Sequence, residues 1–139
     1  MFVQRTVPDS IALGESLLAE WRLVRARRPN VLLTGALAAT EVLMATLRPY
    51  LRAPIYYWAP AVALPAPGDV ATLVICDIAS VRLEHQHILL SWLDQVVPGQ
   101  TQVVSTTDVE LFALVEQEMF LEALYYRLNI VRLDGRQPD

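Results

Sequence analysis

The chain has 139 residues, 54% of them hydrophobic and 19% charged, which is enough apolar material for one buried core and too much for intrinsic disorder. A formal charge of -4 gives no bulk attraction to nucleic acid, so direct nucleic-acid binding is not expected. No apolar run approaches the roughly 18 residues of a membrane span, and Met1 to Arg5 holds no signal-type apolar stretch. With a single cysteine, Cys76, and no membrane contact, a cytoplasmic protein without disulfides is expected. All 11 basic residues are arginines, which excludes chemistry that needs an ammonium group.

In chain order, Pro8-Asp9-Ser10 supplies a helix start, and Ile11, Leu17, Leu18, Trp21 and Val24 follow on one face. Arg25, Arg27 and Arg28 then end that helix. They either hold a phosphate or an acidic partner or form a solvated end that completes the helix dipole, and the acidic net charge favours the second. Val31 to Gly35 reads as a buried parallel strand. A helix from near Thr40 turns Leu43 and Leu47 inward until Pro49 stops it. Pro54 to Trp58 is a second strand whose aromatic residues, Tyr56, Tyr57 and Trp58, pack in the core rather than stack on a ligand.

The proline-rich stretch from Ala59 to Asp69 is a loop. Ala71 to Asp77 is a continuous apolar strand, buried on both faces, in which Cys76 is an inert core thiol. Leu83 to Val96 forms an amphipathic helix with Leu83, His87, Leu90 and Asp94 on one line and Leu89, Trp92 and Leu93 beside it. His85 and His87 point about 200° apart on such a helix, so no shared metal is expected. After the Pro98-Gly99 turn, Gln102 to Thr106 is a fourth strand. Thr107-Asp108-Val109-Glu110 has the spacing of a capping box before a helix carrying Leu111, Phe112 and Val115. A further helix over Met119 to Leu128 and a last strand over Asn129 to Leu133 complete one domain at residues 1–134, with 135–139 as a loose tail. Alternating strands and helices imply an α/β fold, a parallel five-stranded sheet between two helical layers.

Several segments, in order, carry a family resemblance. Gln102-Val-Val-Ser-Thr-Thr-Asp-Val-Glu-Leu and Phe120-Leu-Glu-Ala-Leu-Tyr-Tyr-Arg-Leu-Asn129 are similar to a RIIAATNRDL sensor segment followed by FREDLYYRLN. Ala71 to Ile78 is similar to the Walker B strand GTLFLDEI. Together they resemble the AAA+ domain of sigma-54-dependent transcription activators. The resemblance implies P-loop strand order 5-1-4-3-2. Two parts of that family are expected to be absent: the sigma-54 contact loop GAFTGA, since only about a dozen residues join the second strand to the third, and the helical lid.

The departures from that family bear on function. Its phosphate loop GESGTGKE aligns with Gly35 to Val42, so Ala38 and Thr40 stand at loop positions and Glu41 stands where lysine meets the phosphates. Unit charges ~4 Å apart interact by about 4 kcal/mol at an effective dielectric of 20, so attraction becomes repulsion of that size. The metal-holding aspartate falls on Cys76, the water-activating glutamate on Asp77 and the sensor asparagine on Asp108, while one of two arginine fingers is kept as Arg127. Magnesium prefers hard oxygen ligands, and a thiol is a poor substitute. No catalytic residue, cofactor or metal is expected. Asp77, Glu41 and Asp108 form either an acidic ligand crevice at the strand ends or an unused remnant. The expected function is a pseudo-ATPase interaction module in transcriptional or two-component signalling, docking on itself or an AAA+ relative through Arg127, Tyr125 and Tyr126. Arg127 either reaches a partner's carboxylate or pairs within the chain. The alternative is a residual nucleotide or small-ligand sensor.

Overall fold

A computed structural model describes residues 3–6 and 27–135, so the helix expected over Ile11 to Val24 and the residues 136–139 lie outside the described part. Its strands are β1 (Val3–Thr6), β2 (Val31–Thr34), β3 (Ile55–Tyr57), β4 (Thr72–Ile75), β5 (Gln102–Thr107) and β6 (Val131–Asp134). The helices are α1 (Leu37–Leu47), α2 (Leu83–Asp94), α3 (Leu111–Glu116) and α4 (Glu122–Leu128), with single 3-10 turns at Arg48–Tyr50 and Ile78–Ser80.

All the strands pair in parallel in the order β1-β6-β2-β5-β4-β3. From β6 to β3 this is the expected five-strand order. A sixth strand, β1, extends the sheet beyond β6 in the register Val3 to Val131 and Thr6 to Asp134. Right-handed crossovers fix the layers. The step from β2 to β3 runs outward along the sheet and puts α1 on one face. The returns from β4 to β5 and from β5 to β6 put α2, α3 and α4 on the other.

Side-chain alternation along the strands agrees with that arrangement. Val31 and Leu33 pack with Leu43, Met44 and Leu47 of α1, together with Val74, Val104, Val131 and Leu133. Leu32, Leu73, Ile75 and Val103 face the opposite core, built on Leu89, Trp92, Leu93, Leu111, Leu124 and Leu128. Each fully buried leucine contributes on the order of 2 kcal/mol relative to exposure, so the two cores are the main source of stability. Among the described residues no helix is long and apolar enough to cross a membrane.

The buried stripe of α2 is Gln86, Leu89, Trp92 and Leu93, whereas Leu83 and His87 are exposed. Gln86 is inside because the 117–121 turn needs partners. Its Nε2 donates to the carbonyls of Val81 at 2.8 Å and Met119 at 3.1 Å, and its Oε1 accepts from Leu121 N–H at 2.8 Å. The capping box does not form either. The residue preceding α3 is Glu110, without a side-chain cap, and the Thr107 hydroxyl instead closes a local turn on Val109. The helix expected from Met119 starts only at Glu122. Between β3 and β4 the residues 58–71 hold no helix. They are held by Trp58 Nε1 donating to Val62 carbonyl, Trp92 Nε1 to Pro65 carbonyl and the Thr101 hydroxyl to Val70 carbonyl.

Candidate functional site

At the C-terminal ends of the strands, β2 passes into α1 through two residues. Gly35 has φ +135, a region that favours glycine, and its N–H donates to Thr107 carbonyl at 3.1 Å. Ala36 is extended, with φ -56 and ψ 154, and the helix begins at Leu37, three residues earlier than the sequence suggests. Ala38 therefore lies in the first helical turn. Thr40 is buried and already bonded, its N–H to Ala36 carbonyl and its hydroxyl to Leu37 carbonyl, both at 3.0 Å. A phosphate-cradling loop needs successive N–H groups curled around an anion before the helix starts. Here that length of chain is already helical, and Glu41 projects from α1 to the exposed surface.

The β4 end departs from expectation in one respect. The strand stops at Ile75, and Cys76 is exposed at its tip rather than buried in the core. The apolar run does not continue inward because the backbone turns away at Asp77, which has left-handed φ 58 and ψ 57. Asp77 N–H is held by Thr106 Oγ1 at 2.9 Å. A non-glycine residue in that conformation stores on the order of 1 kcal/mol.

These ends enclose a cavity of about 480 Å³. Glu41, Asp77 and Asp108 all line it, with Thr40 and Cys76. Among the described residues none of the three carboxylates has a hydrogen-bond or ion-pair partner. Nor does any group of three His, Cys, Asp or Glu side chains converge closely enough to hold a metal ion. Sequence reasoning missed the other walls. Arg48 lies seven residues beyond Glu41, just past the end of α1, and its guanidinium carbon sits 5.9 Å from the centre of the Tyr57 ring. Tyr57 is half exposed at the tip of β3 rather than packed in the core. The helical spacing of Arg48 from Glu41 was the available signal; nothing local pairs Arg48 with Tyr57.

The other singled-out residues lie elsewhere. Tyr125 is in the core, with edge-on ring contacts to Phe112 at 5.4 Å and Tyr126 at 5.2 Å, and its hydroxyl accepts from Asn129 Nδ2 at 3.0 Å. Tyr126 is 42% exposed. Arg127 takes the intramolecular option, donating to Asp94 at 2.5 Å and to Leu93 carbonyl at 2.9 Å at the end of α2. His85 is half-buried and His87 exposed. Arg25 lies outside the described residues and Arg27 is exposed, but Arg28 is no solvated helix end. Its guanidinium donates to the carbonyls of Gly99, Gln100 and Ala71 at the N-terminal ends of the strands. Burial, with the charge of Arg52, lowers its pKa below the usual arginine value.

The family model of the Sigma-54 interaction domain matches residues 66–134, the stretch from just before β4 through β6. No curated protein matches the chain in sequence. Among solved structures, NtrX from Brucella abortus in complex with ATP is similar at TM-score 0.64 and 20% identity, over 87% of this chain and 36% of that one. Domain III of the Thermotoga maritima replication initiation protein DnaA is similar at 0.62 and 18%, over 95% and 64% respectively. For the P-loop NTPase domain of the Sigma-54 transport activator from E. coli the values are 0.57 and 20%, over 83% and 93%. The chain thus spans about a third of the NtrX chain. Strand order and these neighbours give the chain the P-loop NTPase fold of the AAA+ type, and over residues 66–134 it resembles the sigma-54 interaction domain.

Proposed function

We propose that the chain is a non-catalytic, AAA+-like pseudo-ATPase that works as a protein interaction module in transcriptional or two-component signalling. The observation that carries this reading is the two-residue passage from β2 into α1, with helix already formed at Leu37 and an acidic Glu41 one turn further on. A triphosphate would meet three unpaired carboxylates and no curled loop, while the uncapped helix end returns at most ~2 kcal/mol. Its partner is a second copy of itself or an intact AAA+ relative.

Titration calorimetry with Mg·ATP tests the nucleotide half. No binding heat is expected, and Glu41→Lys should not create any, because the change supplies a charge without the loop. Micromolar affinity left unchanged by Glu41→Ala would overturn the reading. Light scattering across a concentration series, alone and mixed with an intact sigma-54 activator domain, tests the other half. A mass above the monomer or a mixed complex supports it; a strict monomer that ignores the relative removes it.

A second reading, a small-ligand sensor, is favoured by the cavity of about 480 Å³ with the Arg48–Tyr57 pair on its wall. Thermal-shift screening with nucleotides, cyclic dinucleotides and metals separates it, since a ligand at 100 times its dissociation constant adds about 2.7 kcal/mol. A flat screen eliminates it.

A further inference from the structure

Behind the crevice, the strand ends are tied together by the chain leaving β6. The Asp134 carboxylate accepts from the Thr34 hydroxyl at the end of β2 and from Arg132 Nε at 2.7 Å. The terminal nitrogens of Arg132 reach Glu110, just past Asp108, at 3.4 and 3.2 Å. Burial alone would lower the Arg132 pKa, but its hydrogen bonds and charge contacts with Asp134 and Glu110 outweigh that and raise it. Gly135, read from the sequence as the start of a loose tail, is held as well: its N–H donates to Thr34 carbonyl at 2.7 Å.

Contact at this crossing is very close. A Cβ on Gly35 would lie 2.7 Å from Gly135 carbonyl oxygen, and a Cβ on Gly135 would lie 3.0 Å from Ala39 Cβ and 3.1 Å from Leu43 Cδ1. The chain beyond β6 therefore rests directly on the first turns of α1. Apart from this contact, that end of α1 is held by the buried Ala39 and Thr40 and by the bonds of Thr40 to the Ala36 and Leu37 carbonyls. Ala36 offers no side-chain cap, Leu37 and Ala38 are exposed, and the deep contacts of Leu43 and Leu47 come later in the helix.

We infer that Asp134 and Gly135 form a strap that clamps the β2–α1 turn shut from within the chain. In phosphate-binding loops a bound anion organises that turn by satisfying the helix-end N–H groups; here the strap fixes the same turn by steric contact and by bonds to Thr34. The α1 wall of the crevice and the position of Gly135 are thereby coupled. This inference stands apart from the pseudo-ATPase reading, because it concerns what holds the turn whether or not a ligand binds.

Amide hydrogen exchange on the full chain tests it. Gly135→Ala lifts the strap without touching a crevice-lining residue. Because Gly135 lies outside the left-handed region, its added Cβ acts by contact alone. Exchange over residues 40–43, the first amides of α1 that have helical acceptors, is expected to accelerate by about tenfold or more, with α2, α4 and β5 unchanged. Gly99→Ala is the control: at φ +83 with open space around it, it strains a remote turn and should give no selective effect at residues 40–43. Asp134→Asn, which keeps the shape and weakens the bonds to Thr34 and Arg132, should accelerate the same residues less and carries the test if Gly135→Ala does not fold. Unchanged exchange at 40–43, or an equal rise in every element, overturns the strap.

Discussion

The N-terminal ends of the parallel sheet and the crevice at its C-terminal ends are built on opposite principles. At the N-terminal ends of the strands the side chains of Arg28, Asn30 and Gln102 are all answered. Arg28 meets three carbonyls, Gln102 Nε2 donates to Pro29 carbonyl, and Asn30 bridges Val103 N–H and Arg127 carbonyl at 2.8 Å each. At the C-terminal ends three carboxylates line one cavity without partners among the described residues, a thiol is exposed, and Asp77 sits in a strained conformation. Physical chemistry selects the first arrangement for stability, since an unanswered buried polar group costs about 1–3 kcal/mol. The second arrangement has no stabilising rationale. Open α/β sheets place their ligand sites at this end.

The largest expected effect tests the stabilising end. Asn30→Ala removes two hydrogen bonds at once and strands Val103 N–H beside a fully buried residue. A loss of about 3 kcal/mol is expected, read as a lowered urea midpoint at unchanged slope. A loss below about 1 kcal/mol would mean that water or a shifted backbone replaces the bridge, and the contrast between the ends would weaken. Asp77→Gly should move the other way. Relieving the left-handed backbone gains about 1 kcal/mol despite the added entropy of glycine, whereas Asp77→Asn, which tolerates that region, should change little. A destabilised glycine variant would show that the Asp77 carboxylate makes a contribution the geometry does not reveal.

How far this contrast was legible in the sequence depends on the element. β2 and β4 were readable because central parallel strands are buried on both faces and read as apolar runs, whereas β5, with only Val103 and Val104 apolar, was read from its place after the Pro98-Gly99 turn. β1 was not, since Val3-Gln4-Arg5-Thr6 is a short edge strand with one apolar residue and no pattern to detect. The start of α1 was misplaced because Ala36 to Ala39 carry no polar cap, while Thr40 and Glu41 imitate a helix start. Cys76 was misread because an apolar run shows that a strand exists but not where it turns outward; that turn lies in the backbone of Asp77. The carboxylates of the crevice followed from the family-like segments. Arg28 eluded the sequence because its three carbonyls come from residues 43 to 72 positions away.

The smallest expected effect is the sharpest test of the other end. Glu41→Gln with Asp108→Asn removes two of the three crevice charges while leaving shape and volume nearly constant. If these carboxylates support the fold, the double variant should be destabilised by an amount comparable to Asn30→Ala. If they are unpaired side chains on an exposed rim, stability should stay within about 0.5 kcal/mol in physiological salt. The screening length is about 8 Å at that ionic strength and about 30 Å at 0.01 M, so any gain from relieved repulsion should appear only in dilute buffer. Urea unfolding at the two salt concentrations distinguishes these cases. A salt-independent loss would place the carboxylates among the structural groups and remove the contrast between the two ends. A small gain confined to low salt leaves the crevice as surface that the fold does not need, open to be shaped by whatever it contacts.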